Sequence, residues 1–176
     1  MKRKGSLVDD GEFSTLTFER IYQHSPMRIW EAIATPAGLS EWLLCSQAVI
    51  EGYVGGQVEM VSGPAQYRST GKILVWDPPR VLEYEWNVAP VPEMPRGENA
   101  IFRYELTPSG GCTHLLVTYR RITKQTARGF LPGLHAFLDR LEAQLDGRRL
   151  PAWTERFVQV QTEYPEWSNH APDTGK

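Results

Sequence analysis

Leu131, Leu134, Leu138, Leu141 and Leu145 recur at steps of three and four and make an apolar stripe about four helical turns long. No other stretch of the chain carries a helical stripe of that length. Ahead of it lie about six runs that alternate apolar and polar residues, the pattern of antiparallel strands with one wet face. A sheet of that size has an apolar face to cover, and one long helix is available to cover it. The sheet must therefore curve around the helix, with smaller elements closing one end. A sheet wrapped in this way often leaves a space between itself and the helix.

The order of the elements can be read along the chain. Residues 13–22, "FSTLTFERIY", set Leu16, Phe18 and Arg20 on one face. Ser25 is a good N-cap and Pro26 suits a first helical position, so a short helix carries Ile29, Trp30 and Ile33. Pro36 ends it and opens a second, "PAGLSEWL". Strand-like runs follow in "QAVIEG", "GQVEMV", "YRSTGKILVW", "VLEYEW", "IFRYELTP" and "THLLVTYRRI". "DPPR" at 77–80 and "SGG" at 109–111 read as turns, and 88–99 as a loop. Gly147 suits a helix C-cap. The reading is an α+β fold: a curved antiparallel sheet of six or seven strands around one helix at roughly 130–146. Residues 1–12 read as a flexible start, 13–147 as the domain, and 148–176 as an extension, partly docked and disordered at its end.

Composition narrows the class. The chain has 176 residues, 41% of them hydrophobic, enough for one domain with a sizeable core. A net charge of −2 gives no electrostatic footprint for nucleic acid. No run is long enough to span a membrane, and the basic start "MKRKGSLVDDGE" lacks the apolar segment of a secretory signal. Cys45 and Cys112 match neither a disulfide framework nor a metal motif. The expectation is a cytoplasmic protein without nucleic-acid partner, membrane insertion, metal or cofactor.

Little in the sequence points to chemistry. In "EGYVGGQVEMV", Gly55 and Gly56 precede a strand and not the Lys-Ser/Thr and helix of a phosphate loop, so they serve a bend. His24, His114, His135 and His170 have no zinc spacing. His135 sits beside the leucine stripe and is the one candidate for a polar anchor in the cavity. Glu83 and Glu85 share a face opposite Tyr84 and Trp86, and alternation turns them toward water. There is no nucleophile elbow, and no catalytic residue is assigned. Arg120, Arg121, Arg148 and Arg149 read as a solvated rim.

"FERIYQHSPMRIWEAIATP" resembles the opening of the START-like, birch-pollen-allergen-like (SRPBCC) superfamily. "VGGQ", "GKILVWDPPRVLEYEW", "YELTPSGGCTHLLVTY" and "LDRLEAQLDG" resemble its branch named for the heat-shock-protein-90 ATPase activator. The resemblance covers roughly residues 13–147. It implies the helix-grip fold and a cavity between sheet and last helix. It implies ligand classes too: superfamily members bind lipids, sterols and other apolar molecules, and some are cyclases or hydratases. The activator's separate chaperone-binding domain has no counterpart in the chain.

Three readings follow. The first is binding of a small hydrophobic or aromatic molecule in a cavity lined by Trp42, Tyr84, Trp86, Phe102, Tyr104, Tyr119, Leu134, His135 and Leu138. The strand residues enter by alternation, the helix residues by the stripe, and Trp42 because the second short helix should close the mouth. The second is a cyclase- or hydratase-type enzyme, which needs a titratable pair converging on the cavity, such as His135 with Arg103 or Tyr104. The third is a chaperone ATPase-activator-like interaction protein, which needs a large exposed apolar patch. In the extension, Trp153, Phe157 and Val160 are spaced four and three, as on one face of a short helix, and Phe157 to Gln161 equally fit an extended strand. That face should dock on its own domain or on a second copy, and a homodimer is the expectation.

Overall fold

The computed structural model describes residues 3–165. Eight strands form one antiparallel sheet: β1 (Ser6–Asp10), β2 (Phe13–Tyr22), β3 (Gln47–Ile50), β4 (Gln57–Ser62), β5 (Tyr67–Asp77), β6 (Val81–Val88), β7 (Glu98–Ser109) and β8 (Cys112–Thr123). Their spatial order is β1-β2-β8-β7-β6-β5-β4-β3. Two short helices, α1 (Pro26–Ala34) and α2 (Pro36–Trp42), connect β2 to β3, and α3 (Lys124–Leu145) and α4 (Trp153–Gln161) follow β8. The helix-grip architecture is the one expected, with α3 across the concave face of the sheet.

The strand count differs from the six or seven expected, because β1 forms where a flexible start was read. Its pairing with β2 runs from Ser6↔Thr17 to Asp10↔Phe13. Gly11, with φ 61°, supplies the first central position of the connecting two-residue turn. Only Leu7 of β1 packs on the core, which is why composition hid it.

The sheet bends at two irregularities. One lies in β2 between Ser14 and Leu16, the other in β5 between Ile73 and Val75. Near the second, Gly71 lets two backbones touch: a Cβ there would stand 2.2 Å from the Glu85 carbonyl oxygen. Gly55 takes φ 88°, and a Cβ on Gly56 would meet the Glu51 carbonyl at 2.3 Å, so both glycines serve the bend and not a phosphate. At the other end, Gly110 and Gly111 (φ 54° and 83°) close the β7–β8 hairpin as a two-residue turn.

Capping and packing then fix the helices. The Ser25 hydroxyl accepts from the Arg28 amide and the Thr35 hydroxyl from the Gly38 amide, each just before a proline at the helix start. The C-terminal carbonyls of α2 are bound from α3: Arg140 Nε donates to the Trp42 carbonyl at 3.1 Å and Nη2 to that of Glu41 at 2.6 Å. Gln144 spans the same junction, donating to the Gly38 carbonyl at 2.9 Å and accepting from the Trp42 amide at 3.0 Å. The core lies between the concave face and these helices. Leu131, Leu138, Leu141 and Leu145 are all buried there, as are Leu16, Phe18 and Ile33.

Helix α3 begins at Lys124, six residues before the expected start. The leucine stripe that set the expected start begins only at Leu131, and Gly129, Pro132 and Gly133 are poor helix formers. These three lie in the helix interior all the same, where Pro132 leaves one intrahelical bond unmade. No helix is long and apolar enough to cross a membrane among the described residues.

Candidate ligand cavity

Between β4–β8 and α3 lies a cavity of about 310 Å³, partly open to solvent. From the sheet, Met60, Tyr67, Tyr84, Trp86, Phe102, Tyr104 and Tyr119 line it. The β4–β5 turn adds Ser62 to Ala65, and Leu43 follows α2. Helix α3 contributes Gly129, Phe130, Gly133, Leu134 and Phe137, and α4 contributes Trp153 and Phe157. No charged side chain is among them.

Strand alternation delivers the floor. On β6 and β7, Tyr84 stands opposite Phe102 in register, and their rings stack at 5.8 Å with 10° between planes. Phe102 also meets Tyr104 and Tyr119, each at 4.8 Å, and Trp86 meets Tyr119 edge-on at 5.4 Å. The hydroxyls of Tyr84 and Tyr104 bond each other. Burial pushes the Tyr84, Tyr104 and Tyr119 phenols well above their ordinary range, so the floor stays uncharged at any physiological pH.

The roof explains the empty space. The leucine stripe fills the interface with the sheet, while a neighbouring face of α3 with two glycines four residues apart turns to the cavity. A Cβ on Gly129 would meet nothing within 4 Å. Phe130 and Phe137 flank this bare strip, Phe130 meeting Trp86 edge-on at 5.6 Å.

Six of the nine expected lining residues therefore come together here: Tyr84, Trp86, Phe102, Tyr104, Tyr119 and Leu134. Three do not. Trp42 is fully buried beneath α1 and donates its indole N–H to the Ala32 carbonyl at 2.9 Å. Leu138 packs in the solid core, where its carbonyl accepts from the Tyr22 hydroxyl at 2.9 Å. His135 occupies a separate polar cluster. Its Nδ1 is 2.8 Å from the Tyr164 hydroxyl, which in turn accepts from the Gly5 amide at 2.8 Å. Its Nε2 lies 3.6 Å from Asp139. That carboxylate also binds Arg3 and Arg156, each at 2.7 Å, and faces the fully buried Arg20 at 3.5 Å.

Glu83, Arg103 and Arg120 pair on the outer face of the sheet. Glu83 is buried and not in water as expected, because Arg103 at 2.9 Å and Arg120 at 3.1 Å close over it. Burial alone would raise its carboxyl, and the two guanidiniums hold it below the usual range instead. The same bonds take Arg120 out of the solvated rim. Arg103 thus points away from the cavity and His135 belongs to its own cluster, so these two do not converge on it. Cys45 and Cys112 are both free thiols, and no cluster of metal-ligating side chains is present among the described residues.

The extension docks on its own domain. Trp153 stacks on Phe157 at 4.7 Å and contacts Phe137 at 5.6 Å, and Val160 is fully buried. Of the apolar side chains behind the homodimer expectation, Val160 and Tyr164 are buried within the chain, Trp153 and Phe157 are half-buried, and Val158 is 63% exposed.

A family model described as "Activator of Hsp90 ATPase homolog 1-like protein" matches residues 23–146. The chain belongs to this family. Solved structures share the fold of this activator homologue at low identity. CalU16 from Micromonospora echinospora is 18% identical, with 96% of each chain covered and a TM-score of 0.65. A conserved protein of unknown function from Enterococcus faecalis, EF2215, is 15% identical over 94% of this chain and 93% of that one, with a TM-score of 0.68. Mll3558 from Rhizobium loti is 24% identical over 79% and 99%, with a TM-score of 0.65. No curated protein matches the sequence.

Proposed function

We propose that this activator homologue binds a small, uncharged apolar molecule in the cavity between the sheet and α3. The observation that carries the reading is a space of about 310 Å³ walled largely by aromatic rings, with no charged side chain. The volume falls at the lower end of ligand pockets, roughly 300–1,000 Å³. It is about twice the ~150 Å³ that admits benzene to an engineered apolar cavity. Burial of ligand surface against rings supplies the affinity, and the buried phenols supply neutral polar contacts. The chaperone reading has less support, since the exposed large apolar residues are spread over β1, β2, α1, β3, the β3–β4 loop, β5 and α4.

The test is titration with N-phenyl-1-naphthylamine, a flat, uncharged fluorophore. Saturable one-to-one binding is expected, with thermal stabilisation that grows with probe concentration. A hundredfold excess over Kd corresponds to about 2.7 kcal/mol. Leu134→Trp puts a larger side chain into the space between α3 and the sheet and should weaken both signals. Binding that is absent in the native chain, or unchanged in Leu134→Trp, overturns the proposal.

A further inference from the structure

We infer that Trp153 and Phe157 of α4 are ligand-contacting residues that select flat ring systems over flexible chains. The inference rests on the cavity reading above and goes beyond the family. The family match ends at residue 146, and α4 begins at Trp153, so this wall comes from a segment beyond the matched residues.

The first half of α4 lies against the bare strip of α3. Trp153 packs 3.4 Å from where a Gly133 Cβ would stand, and its indole N–H donates to the Gly133 carbonyl at 3.3 Å. Its ring stacks on Phe157 with 21° between planes. Both rings border the cavity, yet both remain only half-buried. Two large aromatic faces are therefore held at the cavity with apolar surface still uncovered. They border the same space as a floor that is itself aromatic, and rings from both walls suit a flat, uncharged ligand that stacks against them.

The second half of α4 and the residues just after it make this a fixed wall. Val160 is fully buried, Arg156 is held by Asp139 at 2.7 Å, and Tyr164 by His135 at 2.8 Å. Arg140 Nη1 donates to the Pro151 carbonyl and secures the approach to the helix. The rings are thus positioned before any ligand arrives, which favours rigid shapes that match them.

The discriminating variant is Trp153→Leu/Phe157→Leu in the full-length chain. It keeps apolar bulk and every anchor in the second half of α4 while removing the ring faces. N-phenyl-1-naphthylamine affinity should fall by about tenfold or more, the order expected from losing two stacked rings. The Kd of 1-dodecanol, obtained by competition, should change by less than about threefold, since no stacking is lost. An unchanged naphthylamine Kd overturns the inference and leaves the cavity reading standing. An equal loss for both probes also overturns it, since α4 would then only shape the cavity. Absence of naphthylamine binding in the native chain overturns both. If the thermal midpoint of the variant drops, Trp153→Phe decides: it keeps a ring in place and should retain naphthylamine binding within about threefold, and loss of that binding refutes selection by the ring.

Discussion

His135 Nδ1 and the Tyr164 hydroxyl, 2.8 Å apart, join the centre of α3 to the segment beyond α4. Because that hydroxyl already accepts from the Gly5 amide, its own proton is free to point at Nδ1. The histidine is then neutral with its proton on Nε2, facing Asp139. One side chain thereby ties the start of the chain, the gripping helix and the extension together.

Acid should loosen this tie. Burial pushes the His135 imidazole down to about 4, and the Asp139 carboxylate only partly offsets it. A histidine whose folded pKa is depressed lets the unfolded chain bind more protons between its unfolded value and the folded one. Its contribution is complete above the unfolded value of about 6.5 and disappears as pH falls toward 4, on the order of 3 kcal/mol in all. Urea midpoints at pH 7 and pH 4.5 should therefore differ strongly for the native chain. His135→Gln should narrow the gap, and an equal gap in both proteins would assign the acid sensitivity to other groups.

Asp139 tests the same cluster from its anionic side. Burial raises its carboxyl, but Arg3, His135, Arg156 and Arg20 more than offset this and hold it below the usual carboxylate range. Asp139→Asn would leave Arg20, which is fully buried, without its counter-charge. Breaking a buried pair from one side costs about 3–5 kcal/mol. Denaturant unfolding should show a loss of that order. A second change, Arg20→Met, should recover much of it, and a loss below about 1 kcal/mol would place the cluster effectively in solvent.

Most of the fold could be read from local signals, because each strand run carries its own alternation and each short helix its own cap and proline. The same alternation placed Tyr84, Trp86, Phe102, Tyr104 and Tyr119 on the cavity side. Face selection on α3 was harder. The leucine stripe marks the surface that fills the core, and Leu138 follows it, whereas the cavity faces the neighbouring strip with glycines at 129 and 133. Gly129 and Gly133 four apart, flanked by Phe130 and Phe137, was the usable signal. Trp42 was missed because a tryptophan on a short closing helix can cap a cavity or fill the core beneath it. Glu83 looked wet because alternation cannot show that arginines from two neighbouring strands will cover it. The end of the extension, from residue 166, and His170 with it, lies outside the described residues.

Two glycine-to-alanine changes should move stability in opposite directions, and they separate backbone approach from empty space. At Gly71 an added methyl would stand 2.2 Å from the Glu85 carbonyl oxygen and 2.7 Å from its carbonyl carbon. Both are backbone atoms of the paired strand, so β5 and β6 would have to part where the sheet bends. Overpacking of this kind costs about 1–3 kcal/mol. At Gly129 the same methyl meets nothing within 4 Å, and the residue lies inside α3 with ordinary helical geometry. Alanine there gains helix propensity of about 1 kcal/mol and narrows the unfolded ensemble. Thermal unfolding of the two variants beside the native chain should show a lower midpoint for Gly71→Ala and a higher one for Gly129→Ala. A destabilised Gly129→Ala would mean that a neighbour closes the exposed edge of α3 at that position.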